Sequence, residues 1–275
     1  MSILSLVADA AGIGLSYVIA MGVSIALAAG AAVFSRRRIP SPERLWPGER
    51  PEVLLSIAGV GLMAWGAVAF SLAASQAKEP SQARIALANG LAQLAALIGL
   101  MAATAGLRPH GFRSLGLTLR RLPAGLLAGV AGILIVLPWM FWAEAATQRL
   151  WTALHWQHGV AHELLIVLGQ TPSVWLRAAI VVTAVAVGPL AEEMFFRGQL
   201  QTFVRYWCGR AWLAVLVGAL AFACVHPWWM WPPIFLLGVC LGYAYERTGN
   251  LWANVMMHSL FNLTSIAIYA HGLRG

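Results

Sequence analysis

Charge is scarce in this chain. Only 10% of its 275 residues are Asp, Glu, Lys or Arg, against about 25% in ordinary soluble domains, and that excludes a solvent-borne fold. Cysteine is nearly absent as well. Cys208, Cys224 and Cys240 are too few and too scattered for a disulfide framework or a zinc cluster, and read as small apolar fillers. Strand-like alternation of apolar and polar residues recurs nowhere, which excludes a transmembrane barrel. There is no internal repeat and no low-complexity tract. What is present is apolar: 60% of the residues, with a mean hydropathy of +0.75. The composition is that of an integral membrane protein, all-α, a polytopic helix bundle. Apolar runs long enough to cross a bilayer predict about eight transmembrane helices, at about 11–34, 53–75, 84–106, 124–143, 174–204, 211–227, 232–247 and 251–270.

The net charge of +8 is not a nucleic-acid footprint, because the basic residues sort by membrane side. With the amino terminus outside, the arginines between positions 36 and 50, 108 and 121, and 197 and 247 fall inside. Lys78, Arg84, Arg149, Arg177 and Arg274 fall outside. That is the positive-inside pattern. The first apolar run has no basic leader and is followed by Ser35-Arg36-Arg37-Arg38, so it reads as a retained span, not a cleaved signal. The Pro-rich, basic loop from Ser35 to Glu52 is expected to lie on the inner leaflet. In the outer loop, Thr152 to Gly169 is predicted as an interfacial amphipathic helix. Its His158, His162 and Glu163 read as a polar face with snorkelling imidazoles and not as a metal pair.

Residues 1–150 read as an amino-terminal four-helix region without catalytic motifs. Asn89 and Gln93 share a helix face there and read as interhelical hydrogen-bond glue. Gly125 with Gly129, and Gly238 with Gly242, are small-xxx-small pairs that permit close helix packing. The costly groups all come later, in residues 170–272.

Pro189 to Leu200, PLAEEMFFRGQL, places two carboxylates and a guanidinium at the end of an apolar run. Ionisable groups inside a span are expensive and default to a functional hypothesis. Glu193 and Arg197 are four apart and share a helix face, so they can pair. Glu192 is rotated about 100° away and lacks such a partner, which leaves it free to act as a general base. Phe222 and His226 are likewise four apart, with Phe222 walling the imidazole and Pro227 ending the helix. His258 and Asn262 repeat the spacing, the amide able to orient the ring or to donate to an oxyanion. At 1.5 Å per residue the three segments reach comparable depth, so one shared site is expected. The Trp-rich PWWMWPP segment after His226 suggests Trp228 and Trp229 at the rim of a mid-membrane cavity.

Glu-Glu-x-x-x-Arg at 192–197, Phe-x-x-x-His at 222–226 and His-x-x-x-Asn at 258–262 together resemble the motifs of the CPBP (Abi) family. These are intramembrane endopeptidases related to CAAX prenyl proteases. FRGQL and YERTGNLWANVMMH also resemble that family, and the likeness covers the last hundred or so residues. It implies a multi-pass membrane protease, in bacteria of the inner membrane, acting on membrane-anchored protein or peptide substrates. Carried over, Glu192 is the base, His226 and His258 position water or stabilise charge, Asn262 serves the oxyanion, and Glu193 and Arg197 support them. No cofactor is favoured. A Zn2+ ion, if present, would draw on Glu192, His226 and His258. The rival readings are a non-catalytic bacteriocin-immunity or scaffolding protein, and a proton-coupled transporter, which would show inverted repeats.

Overall fold

The computed structural model describes residues 56–60, 82–156, 159 and 162–272. The span expected at 11–34, most of that at 53–75, the basic loop and His158 lie outside the described residues. Among the described residues every regular element is helical. α1 is Gln82–Leu107. Two short 3-10 turns lead into α2, Leu122–Ala153, and α3 is Glu163–Gln170. α4 runs without a break from Val174 to Cys208, 35 residues. α5 is Ala211–Cys224, α6 Trp231–Thr248 and α7 Leu251–Gly272.

Three stretches among these are long and apolar enough to cross a membrane: Ala86–Leu107, Gly111–Ala153 and Val174–Cys208. α5 has 14 residues, about 21 Å of helix against a hydrocarbon core of about 30 Å. It stops at Cys224 because the chain must turn before Pro227, which has no amide hydrogen to continue the ladder. α6 and α7 reach 18 and 22 residues, but Glu246, Asn254, His258 and Asn262 dilute their apolarity.

The glycine pairs do close the bundle. A Cβ on Gly125 would lie 2.5 Å from Trp252 Cβ, and one on Gly129 2.6 Å from Met256 Cβ, so α2 and α7 touch backbone to side chain. A Cβ on Gly238 would stand 2.9 Å from Ala219 Cα, which fixes α6 on α5 in the same way. Gly129→Leu is therefore expected to wedge α2 off α7 and to lower the melting temperature in detergent, since overpacking costs about 1–3 kcal/mol. An unchanged melting temperature would mean that the two helices are not held at this spacing.

α4 is the element that positions the site, and it changes register twice. Thr183–Val187 and Met194–Gln201 are π-helical turns. In the first, Gly188 N–H bonds Thr183 O, five residues back. The next carbonyl in that register, Ala184 O, would await the amide hydrogen of Pro189, which has none. Asn262 Nδ2 donates to Ala184 O instead, at 2.8 Å. In the second turn Thr202 Oγ1 donates to Arg197 O at 3.0 Å and Arg108 Nη2 to Gly198 O at 2.6 Å. Wide turns of this kind re-aim a helix face and recur at functional sites; here they bracket Gly188–Glu193.

One local expectation is corrected, and Arg108, counted above among the inner arginines, proves to be a structural tie. It is 4% exposed and also donates to Ser114 Oγ and Gln199 Oε1, tying the end of α1 to α4. The single amphipathic helix expected over Thr152–Gly169 does not form. α2 continues past its predicted end to Ala153, His155 takes φ 54°, and α3 starts only at Glu163. His162 caps α3, its Nδ1 accepting from Leu164 N at 3.3 Å.

Candidate active site

Glu193 sits at the centre. Its side chain is fully buried, and one oxygen, Oε1, accepts from Arg197 Nη1 at 3.0 Å and from His258 Nδ1 at 2.9 Å. A carboxylate is acceptor-only, so His258 carries its hydrogen on Nδ1. The pairing of Glu193 with Arg197 is as the four-residue spacing predicts. The bond to His258, across 65 residues, is the addition. Arg197 is 1% exposed and donates its second nitrogen to Gly238 O at 3.2 Å.

Glu192 stands on the other side of the same imidazole. Its Oε2 is 3.8 Å from His258 Nε2, beyond direct hydrogen-bond reach. Glu192 is not without a partner, as its position on the helix had suggested. Gln93 Nε2 of α1 donates to its Oε1 at 3.0 Å. Gln93 therefore does bond between helices, but to a carboxylate of the site. The signal that pointed to it was there: two amides one turn apart on an otherwise apolar helix.

His226 is fixed at three points. Its Nδ1 donates to Phe222 O at 2.8 Å, a carbonyl in the last turn of α5 that lacks an intrahelical partner. Its own carbonyl accepts from Trp231 Nε1 at 2.9 Å. Its ring meets Phe222 edge-on, centroids 4.8 Å apart. Phe222 does more than wall this ring. It also meets His258 at 5.6 Å, and Arg197 Cζ lies 4.7 Å over it.

Glu192, His226, His258 and Asn262 line one cavity of about 620 Å³. Gln93 and Asn89 of α1, His162 and Leu165 of α3 and Phe261 of α7 complete much of its wall. Glu193 and Arg197 lie behind it. The wall is mainly apolar with a few converging polar groups, the usual character of a binding site. Asn262 reaches the cavity, but its amide donates to Ala184 O and not to the His258 ring. Trp228 and Trp229 do not line the cavity; Met230 does. Trp228 packs against Trp151 and Trp156 at 5.5 and 5.8 Å, and Trp151 Nε1 donates to the backbone Trp229 O at 2.9 Å.

Among the described residues no group of three His, Cys, Asp or Glu side chains is placed to hold a metal ion. Both imidazoles donate from Nδ1, and Gln93 holds one oxygen of Glu192.

The class of protein is thus a helical membrane protein with a buried Glu–His–Arg cluster opening on an apolar cavity. Residues 173–264 match the family described as Type II CAAX prenyl endopeptidase Rce1-like, which bears out the resemblance of the three motifs. The match contains all seven motif residues from Glu192 to Asn262. A curated protein of Bacillus subtilis (strain 168), described as "Uncharacterized protein YpbD", is 32% identical over 84 residues. That stretch is 30% of this chain, and the chain spans 40% of the relative's length. No solved structure matches.

Proposed function

We propose that this chain is an intramembrane endopeptidase in which Glu192 activates water without a metal. The observation that carries the reading is the placement of His258 between the two glutamates. With its hydrogen on Nδ1 and given to Glu193, the neutral ring presents the Nε2 lone pair to Glu192 Oε2, 3.8 Å away. Two acceptors at that separation can share one water, each taking one of its hydrogens.

The reaction follows from that arrangement. Glu192 takes a proton from the water as its oxygen adds to the scissile carbonyl carbon, and the carbonyl electrons move to its oxygen. The protonated Glu192 then returns the proton to the departing amide nitrogen as the C–N bond breaks. His258 holds the water and Glu193 holds His258. Arg197 offsets the charge of Glu193, so the net negative charge of the carboxylate pair rests on Glu192. The second amide hydrogen of Asn262 is the group left to meet the oxyanion; His226, with its hydrogen on Nδ1, presents Nε2 as an acceptor and helps to position water. The substrate is a membrane-associated peptide, whose apolar side chains or lipid suit the cavity wall. The arginine-rich ends of the helices face the cytoplasm in this reading.

The test is a comparison of membrane-protein termini in cells carrying wild-type protein or Glu192→Ala. New termini present with the wild type and absent with the variant are expected, with equal amounts of folded protein in the membrane. A general base contributes about 10²–10⁴-fold, so the loss should be close to complete. Identical termini in both strains would remove the assignment.

A further inference from the structure

We infer that Gln93, on α1, is a positioning residue for the general base, and that the active site is incomplete without this helix. The inference rests on the proposed role of Glu192.

The terminal torsion of a glutamate is broad, so an unrestrained carboxylate would not hold one oxygen on a water. Gln93 Nε2 holds Glu192 Oε1 at 3.0 Å, which leaves Oε2 as the oxygen turned to His258. The two glutamates are thereby restrained in contrasting ways. Glu193 is held by a guanidinium, which compensates its charge. Glu192 is held by an amide, which orients it and adds no positive charge. A base must be oriented without being neutralised, and an amide does this where Arg or Lys would not.

Gly188 lies beside the bond: a Cβ there would be in ordinary contact, 3.7 Å from Glu192 Oε1 and 3.9 Å from Gln93 Cδ. A Cβ on Gly90, one turn before Gln93, would come 3.4 Å from Thr183 Oγ1, which puts α1 close on α4 at this level. Gln93 lies outside residues 173–264, the segment that matches the protease family. Part of the base's positioning thus comes from the amino-terminal side of the chain, which the motifs do not mark.

The experiment uses full-length protein in detergent and a quenched fluorogenic peptide spanning the cleavage most strongly lost in Glu192→Ala cells. Gln93→Met keeps the length and removes the donor. It is expected to lower kcat about 100-fold, the scale of a small misplacement of a reacting group, with KM and melting temperature close to wild type. Gln93→Asn keeps the amide one methylene short of Glu192 and should lose kcat alike, which separates reach from polarity. Wild-type kcat in both variants, with Glu192→Ala inactive, would overturn the inference and leave the protease reading standing. Loss of folding in both, or a fall in rate only in step with melting temperature, would make Gln93 a helix tie and overturn it too. Unchanged termini in Glu192→Ala cells would remove the underlying reading and this inference with it.

Discussion

Phe222→Ala is expected to reduce stability and proteolysis together, and by more than any other single truncation of an apolar side chain among the described residues. Phe222 is fully buried, and its ring is where the three motifs meet. Arg197 lies over it at 4.7 Å, and His226, His258 and Phe196 approach at 4.8, 5.6 and 5.2 Å. Removing a buried Phe costs about 3–5 kcal/mol in soluble cores. In a bundle surrounded by lipid the transfer part of that cost falls away and the lost packing remains. A desolvated cation–π contact of about 2 kcal/mol is lost as well, so the lower part of that range is expected. Activity should fall because both imidazoles lose the wall that sets their tilt. Tryptophan fluorescence during thermal unfolding reads the first effect, and peptide cleavage at a temperature where the variant is folded reads the second. Phe222→Leu should recover much of the stability but not the rate, since it refills volume without a π face. If Phe222→Ala melts like the wild type, the ring is not the shared support described here.

The three motifs were legible because each is a four-residue repeat on one helix, and an α-helix puts such residues on one face. That rule also predicts the Glu193–Arg197 pair and the contact of Phe222 with His226. It does not reach the bonds between helices. Glu193 to His258 and Gln93 to Glu192 join residues 65 and 99 positions apart, and no local pattern encodes which amide meets which carboxylate. The π-turns of α4 were hidden for a different reason. They shift the ladder by one residue without any periodic mark, and Pro189 becomes informative only once Gly188 is seen to bond Thr183. Of the two roles foreseen for Asn262, orienting the His258 ring is not seen for that reason: the carbonyl left over by Pro189 takes one of its hydrogens. Helix ends were the least legible feature, as α2 overran its predicted end and α5 fell short of its own.

The last expectation concerns the buried pair itself. Glu193→Leu should destabilise strongly, because it leaves the Arg197 guanidinium, 1% exposed, with Gly238 O and the Phe196 and Phe222 rings. Removing one partner of a buried ion pair costs about 3–5 kcal/mol. Arg197→Met should cost a similar amount, by leaving the Glu193 carboxylate to His258 alone. Replacing both residues by apolar side chains of similar volume is often neutral or stabilising, so Glu193→Leu with Arg197→Met should regain most of the melting temperature. It should not regain activity. The Oε1 that accepts from Arg197 also accepts from His258 Nδ1 at 2.9 Å, and without it nothing fixes which ring nitrogen faces Glu192. Stability and catalysis should therefore separate in the double variant: folded, close to wild type in thermal unfolding, and inactive against a peptide the wild type cleaves. A double variant that cleaves at the wild-type rate would reduce Glu193 to a structural counterion and free His258 from it. One as unstable as either single variant would show that the pair's worth lies in bonds to the backbone and rings around it, and not in mutual neutralisation.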